Sequence, residues 1–137
     1  MKKCGILLLF LAVFFAALWG CGRAENEKES DRKEVDYTVM DVRKLPKELL
    51  KIIEENKKDE IRMTYTDGDA MYLVRGYGQQ KTGGYSIEVV QCTEDEESIL
   101  LDTRLIGPSG QKKLAEDSSY PFLAVKIEKR DKEVQIQ

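Results

Sequence analysis

Histidine is missing from this chain of 137 residues. With it go the commonest general base near neutral pH, the usual partner of a nucleophilic serine or cysteine, and the commonest zinc ligand. Ser86, Ser109, Ser118 and Ser119 fall in no nucleophile-elbow pattern. The expectation is a protein that is not an enzyme and carries no metal or cofactor. Excess positive charge is lacking too: 22 basic against 25 acidic side chains leave a formal net charge of -3, with no basic patch. Nucleic acid as a partner is excluded on that ground, because phosphate recognition requires clustered Lys and Arg. Cysteine is scarce, with Cys4, Cys21 and Cys92 making up the whole supply. A long hydrophobic run is absent as well. The uncharged stretch from Gly5 to Trp19 is about 15 residues, short of the roughly 20 that a membrane-spanning helix needs.

That stretch follows Met1-Lys2-Lys3, and the pair reads as the charged and apolar regions of an export signal over residues 1–20. It ends at Leu18-Trp19-Gly20-Cys21, which resembles the lipobox of bacterial lipoproteins; Trp19 stands where that motif prefers a small residue. The resemblance implies cleavage before Cys21, lipidation of its thiol and attachment to a membrane through the lipid anchor. The site would then be the outer face of the bacterial cytoplasmic membrane, or an outer membrane in a diderm cell. Two or three acyl chains anchor stably where one does not. The alternative is ordinary cleavage near Gly22-Arg23-Ala24, releasing a secreted protein. If Cys21 is alkylated and Cys4 removed, Cys92 has no disulfide partner, and its place on an alternating strand predicts a small buried hydrophobe. Loss of Lys2 and Lys3 takes the formal charge from -3 to -5.

From Gly22 to Glu34 almost every residue is polar. Such a segment cannot bury enough apolar surface to offset its ordering entropy, so residues 21–34 are expected to form a lipidated cysteine and a disordered tether with a reach of roughly 20 Å. Residues 35–137 form the folded domain. Val35, Tyr37 and Val39 alternate with polar residues and predict a strand over Val35–Asp41. Pro46 suits the first turn of a helix in which Leu45, Leu49, Ile52 and Ile53 fall on one stripe, with Leu50 beside it. Beyond Glu60 the period becomes two. Strands are expected from Ile61 to Thr66 and Ala70 to Arg75 around the Asp67-Gly68 turn, then from Tyr85 to Thr93, Ile99 to Ile106, Phe122 to Glu128 and Val134 to Ile136. Asp67 and Asp69 lack the ligand ladder of a calcium loop, and Glu94 to Glu97 reads as a solvated turn. The predicted class is α+β: one amphipathic helix packed on a mostly antiparallel sheet of about seven strands, as a sandwich or partial barrel.

Between these strands lie turns that stand out. Thr82-Gly83-Gly84-Tyr85 joins paired glycines, able to take positive φ, to an aromatic at the start of a strand. Taken with Tyr72-Leu73-Val74-Arg75-Gly76-Tyr77-Gly78, Gly107-Pro108 and Tyr120-Pro121, it resembles the C-terminal domain of the PrcB family of protease complex subunits over roughly residues 70–137. The resemblance implies a membrane-anchored, non-catalytic accessory protein that associates with and stabilises a secreted subtilisin-like serine protease. Thr82 to Tyr85, Gly107-Pro108-Ser109-Gly110 and Tyr120-Pro121-Phe122 are also faintly similar, in that order, to the three loops of chagasin-like protease inhibitors, though Gln80-Lys81 and Tyr-Pro-Phe depart from that pattern and the helix is extra. Either resemblance makes Thr82, Gly83, Gly84, Tyr85, Gly107, Pro108, Gly110, Tyr120 and Pro121 the candidate partner-binding rim. The same residues also read as plain turns and strand starts. A structural or ligand-binding envelope lipoprotein is the third reading.

Overall fold

The structure is a computed structural model and describes residues 31–110 and 117–137. The export signal, the lipobox cysteine Cys21 and most of the expected tether therefore lie outside the described residues. Residues from Asp31 to Gln137 form one compact unit.

The described residues build eight strands, β1 (Lys33–Glu34), β2 (Thr38–Val39), β3 (Glu60–Asp67), β4 (Ala70–Tyr77), β5 (Ser86–Glu94), β6 (Ser98–Ile106), β7 (Phe122–Glu128) and β8 (Glu133–Ile136), with helix α1 (Lys47–Asn56) between β2 and β3. They divide into two four-stranded sheets, ordered β1-β5-β6-β8 and β2-β7-β4-β3. The expected class holds in outline: of the sandwich and the partial barrel the two-sheet arrangement is found, with eight strands among the described residues rather than about seven, and neither sheet closes. Every pairing is antiparallel except that of β8 with β6, which is parallel.

Alternation explains the three layers. On β4, Met71 and Leu73 face the other sheet and, with Val125 and Ile127 of the neighbouring β7, meet Cys92, Ile99 and Leu101 across the inter-sheet core. Tyr72 and Val74 face the opposite way and pack with Ile61 and Ala124 against Leu45, Leu49 and Ile53 of the helix. A strand buried on both faces loses the apolar-polar alternation of a half-exposed one, hence the run Met71 to Val74. Pro46 sits just before α1 and, with φ fixed near the helical value, starts it; Asn56 closes it by donating from Nδ2 to the Ile52 carbonyl at 2.8 Å. Leu49 and Ile53 are fully buried, while Ile52, placed on the same stripe by its spacing, lies at its edge and is half-buried. Cys92 is buried in the inter-sheet core, and that burial pushes its thiol pKa up, so it stays a protonated small hydrophobe near neutral pH.

The N-terminal segment departs from expectation. Lys33 and Glu34, assigned to the tether by polarity, pair with Glu94 and Thr93. Arg32 holds them there: its guanidinium pairs with the Asp95 carboxylate, and its Nε donates to Thr93 Oγ1 at 3.1 Å. The strand expected over Val35–Asp41 shrinks to Thr38–Val39, because the chain crosses from one sheet to the other. Val35 donates to the Cys92 carbonyl and points into the core, whereas Tyr37 and Val39, now at the margin of the second sheet, are exposed. Polarity records what a backbone buries in side chains, not what its N–H and C=O groups bond to.

Candidate functional site

Antiparallel topology sends the β4–β5 connection (residues 78–85) and the β6–β7 connection (residues 107–121) to one end of the domain. The residues between α1 and β3 reach the same end, since Glu60 pairs with Tyr77. The described parts of these loops are laced together. Gln80 and Ser119 exchange two backbone hydrogen bonds, at 2.8 and 3.1 Å. Ser119 Oγ donates to the Thr82 carbonyl at 2.6 Å, and Gln79 Nε2 donates to Ser118 Oγ at 2.9 Å. Tyr77 N–H donates to the Pro121 carbonyl, and Gln79 N–H to that of Lys58, each at 3.1 Å. The ammonium of Lys57 lies 5.0 Å from the Tyr120 ring centre, within cation–π range.

Two glycines are required by geometry. Gly78 has φ +73, and a Cβ there would stand 3.1 Å from the Lys58 carbonyl oxygen. Gly84 has φ +83, which turns the chain into β5 and brings Tyr85 to the base of the loop. Tyr85 is half-buried, and its ring lies against Gly107, whose added Cβ would be 3.8 Å from Cε1. Thr82, Gly83, Pro108, Tyr120 and Pro121 are half-buried as well, while Gly84, Gly107 and Gly110 are exposed. The sequence-derived rim is thus drawn together at Thr82, Tyr85, Gly107, Tyr120 and Pro121. Gly110 meets no neighbour within 4 Å of its added Cβ among the described residues.

Below the loops the inter-sheet space is polar. Arg75 on β4 is only 4% exposed, with Nη1 donating to the Gly76 carbonyl at 2.6 Å and the guanidinium stacked 3.9 Å over the Tyr77 ring. The nearest carboxylate, Glu60, lies 3.6 Å from Nη2, and Nε meets no acceptor among the described residues. Tyr77 hydroxyl and Thr103 Oγ1 are 2.6 Å apart, and Thr103 Oγ1 donates to the Gln137 carbonyl at 2.7 Å. This plug ties β4 to β6 directly under the loops. The hydrogen-bonded Tyr77–Thr103–Gln137 part of it fixes one arrangement of its groups, whereas an apolar contact tolerates several. Ser119, Gln80, Tyr77 and Gly78 escaped recognition as rim supports because serine and glutamine in a loop give no periodic signal. Gly78 could have been found from the glycine spacing of residues 76 to 84.

Among the described residues no group of three or more Cys, Asp or Glu side chains is placed to hold a metal ion, and no helix is long and apolar enough to cross a membrane. What this end offers chemically is shape: exposed backbone at glycines, half-buried aromatic rings and a rigid base. Residues 71–128 match the family model described as PrcB C-terminal, a span that contains every rim residue. This part of the chain belongs to the PrcB C-terminal family. The PrcB C-terminal match begins at the second residue of β4 and ends with β7, so it covers the four strands that carry both loops. No curated protein and no solved structure matches the chain.

Proposed function

We propose that this chain is a lipid-anchored, non-catalytic accessory subunit that binds and stabilises an extracytoplasmic, subtilisin-like protease through the loop rim. The observation that carries this reading is the PrcB C-terminal match over the strands and loops that build the rim. Polarity of the domain adds support. The described chain starts at Asp31, and β1 pairs with the far end of β5, opposite the loops. A lipidated Cys21 would join the domain through the chain that enters at that end, away from the rim. Glycine backbone and rings of Tyr85 and Tyr120 are of the type that anchors protein interfaces.

The test is capture of the full-length protein from membranes. A subtilisin-like protease should co-purify and lose abundance when this protein is deleted; an unaffected protease that never co-purifies rejects the reading. Anchoring is tested separately by Cys21→Ala, which should move the protein out of the membrane fraction. A second reading, inhibition of a papain-like protease, is favoured by convergence of the Thr82, Gly107 and Tyr120 loops at one end. Dose-dependent inhibition abolished by Gly84→Trp supports it.

A further inference from the structure

On one flank of the domain the free edges of the two sheets lie side by side, with Val134 and Ile136 of β8 packed on the core cluster that includes Met71. β3 is the outermost strand of its sheet and β8 of the other, and among the described residues nothing pairs with the outer edge of either. Between them lies a cleft of about 380 Å³ lined by Arg62, Met63, Thr64, Met71, Lys132, Val134 and Ile136. Arg62, Thr64 and Thr66 point toward the other sheet, where a closed sandwich would place apolar residues, yet all three are exposed. β3 keeps eight residues of unpaired edge, with no proline and no bulge to blunt it.

Charge in the cleft runs against the rest of the chain. The lining carries two cations and no carboxylate, in a protein of net charge -3. Arg62 stands toward the loop end, where Glu60 is shared with Arg75 at 3.4 and 3.6 Å from the two guanidinium groups. Lys132 stands at the opposite end, where Glu94 is shared with Arg130 at 3.2 and 2.8 Å. Each end therefore keeps one surplus positive charge, and between them the floor of Met71, Val134 and Ile136 is apolar.

We infer that this flank is a docking groove for an extended segment of a partner protein, which adds as a strand to the free edge of β3 with acidic side chains at both ends of its inward face and apolar ones between. Backbone hydrogen bonds to β3 supply the pairing, and alternate side chains read the groove. The inference is independent of what the rim binds.

The probe is the labelled octapeptide Glu-Thr-Val-Thr-Val-Thr-Glu-Thr, titrated by fluorescence anisotropy into the full-length chain in detergent micelles. It should bind, and replacing its two Glu by Lys should abolish binding. Arg62→Glu should weaken it at least tenfold, while Lys51→Glu, the same charge change on the outer face of α1, leaves it unchanged. Methylation of alternate backbone nitrogens in the peptide should also abolish binding. No binding at millimolar peptide, equal affinity of the lysine or N-methylated peptide, or an unaffected Arg62→Glu overturns the inference. So does sedimentation showing that a second copy of the chain occupies this flank and excludes the peptide.

Discussion

The two ends of the domain are closed by different physics. At the end where the described chain begins, turns are short and charges do the closing: Arg32 pairs with Asp95, and Arg130 and Lys132 share Glu94. Asp95 Oδ1 also accepts from the N–H groups of Glu97 and Ser98, at 2.9 and 2.8 Å. At the loop end the connections are long and are closed by backbone bonds, two positive-φ glycines and a buried polar plug. Charged turns fasten an end against solvent, whereas backbone-laced loops hold a shape. A surface meant to fit a partner belongs at the second kind of end.

The most damaging test removes what both ends share. Leu73 is fully buried on β4 between the sheets, so Leu73→Ala should lose about 2–5 kcal/mol in denaturant unfolding, with both ends melting together. Separate transitions would mean that the ends are held by different cores. Gly78→Ala is expected to act on one end alone. It forces a left-handed φ and a Cβ 3.1 Å from the Lys58 oxygen, at a cost of about 1–3 kcal/mol. Hydrogen exchange should quicken at Gln79 and Gln80 while the Asp95 turn stays protected; equal quickening at both ends breaks the contrast.

Acid should reverse that pattern. Hydrogen bonds from the Glu97 and Ser98 backbone, with the Arg32 charge, hold the Asp95 carboxyl below its ordinary value. Burial raises Glu94, but its bonds to Arg130 and Lys132 outweigh this and leave it lowered. A carboxyl depressed in the folded state adds stability that is present above its unfolded pKa, about 4, and is lost as pH falls through the folded value. Between pH 5 and 2 exchange should therefore rise first at the charged end. Asp95→Asn should flatten that pH response, and an unchanged profile would remove Asp95 as its source.

How much of this could be read beforehand depended on whether a feature repeats. The helix stripe of Leu45, Leu49 and Ile53 and the alternation from Ile61 to Thr66 each express one buried face, and both elements form where those patterns predict. The Asp67-Gly68 turn and a strand after it were equally legible, but the continuous burial of Met71 to Gly76, Arg75 included, was not. What the patterns could not carry was partition into two sheets, because strand order depends on pairings across the whole chain. Lys33 and Glu34 escaped for a related reason: an edge strand held by Arg32 and by backbone bonds buries no apolar side chain of its own. In the rim, paired glycines announced the turn at Gly84, but the Ser119 hydroxyl that locks Thr82 had no signature.

The smallest effect is expected where the loop end has no internal work to do. Gly110 is exposed, its added Cβ meets nothing within 4 Å among the described residues, and it has no left-handed φ. Gly110→Ala should therefore change stability by less than about 0.5 kcal/mol. A larger loss would show that Gly110 is packed. Gly110→Trp then separates shape from stability at the same position. If the loop top faces a protease, the bulky ring should leave the melting curve in place and still abolish co-purification. If co-purification survives, contact falls on the laced part of the rim around Tyr85 and Tyr120.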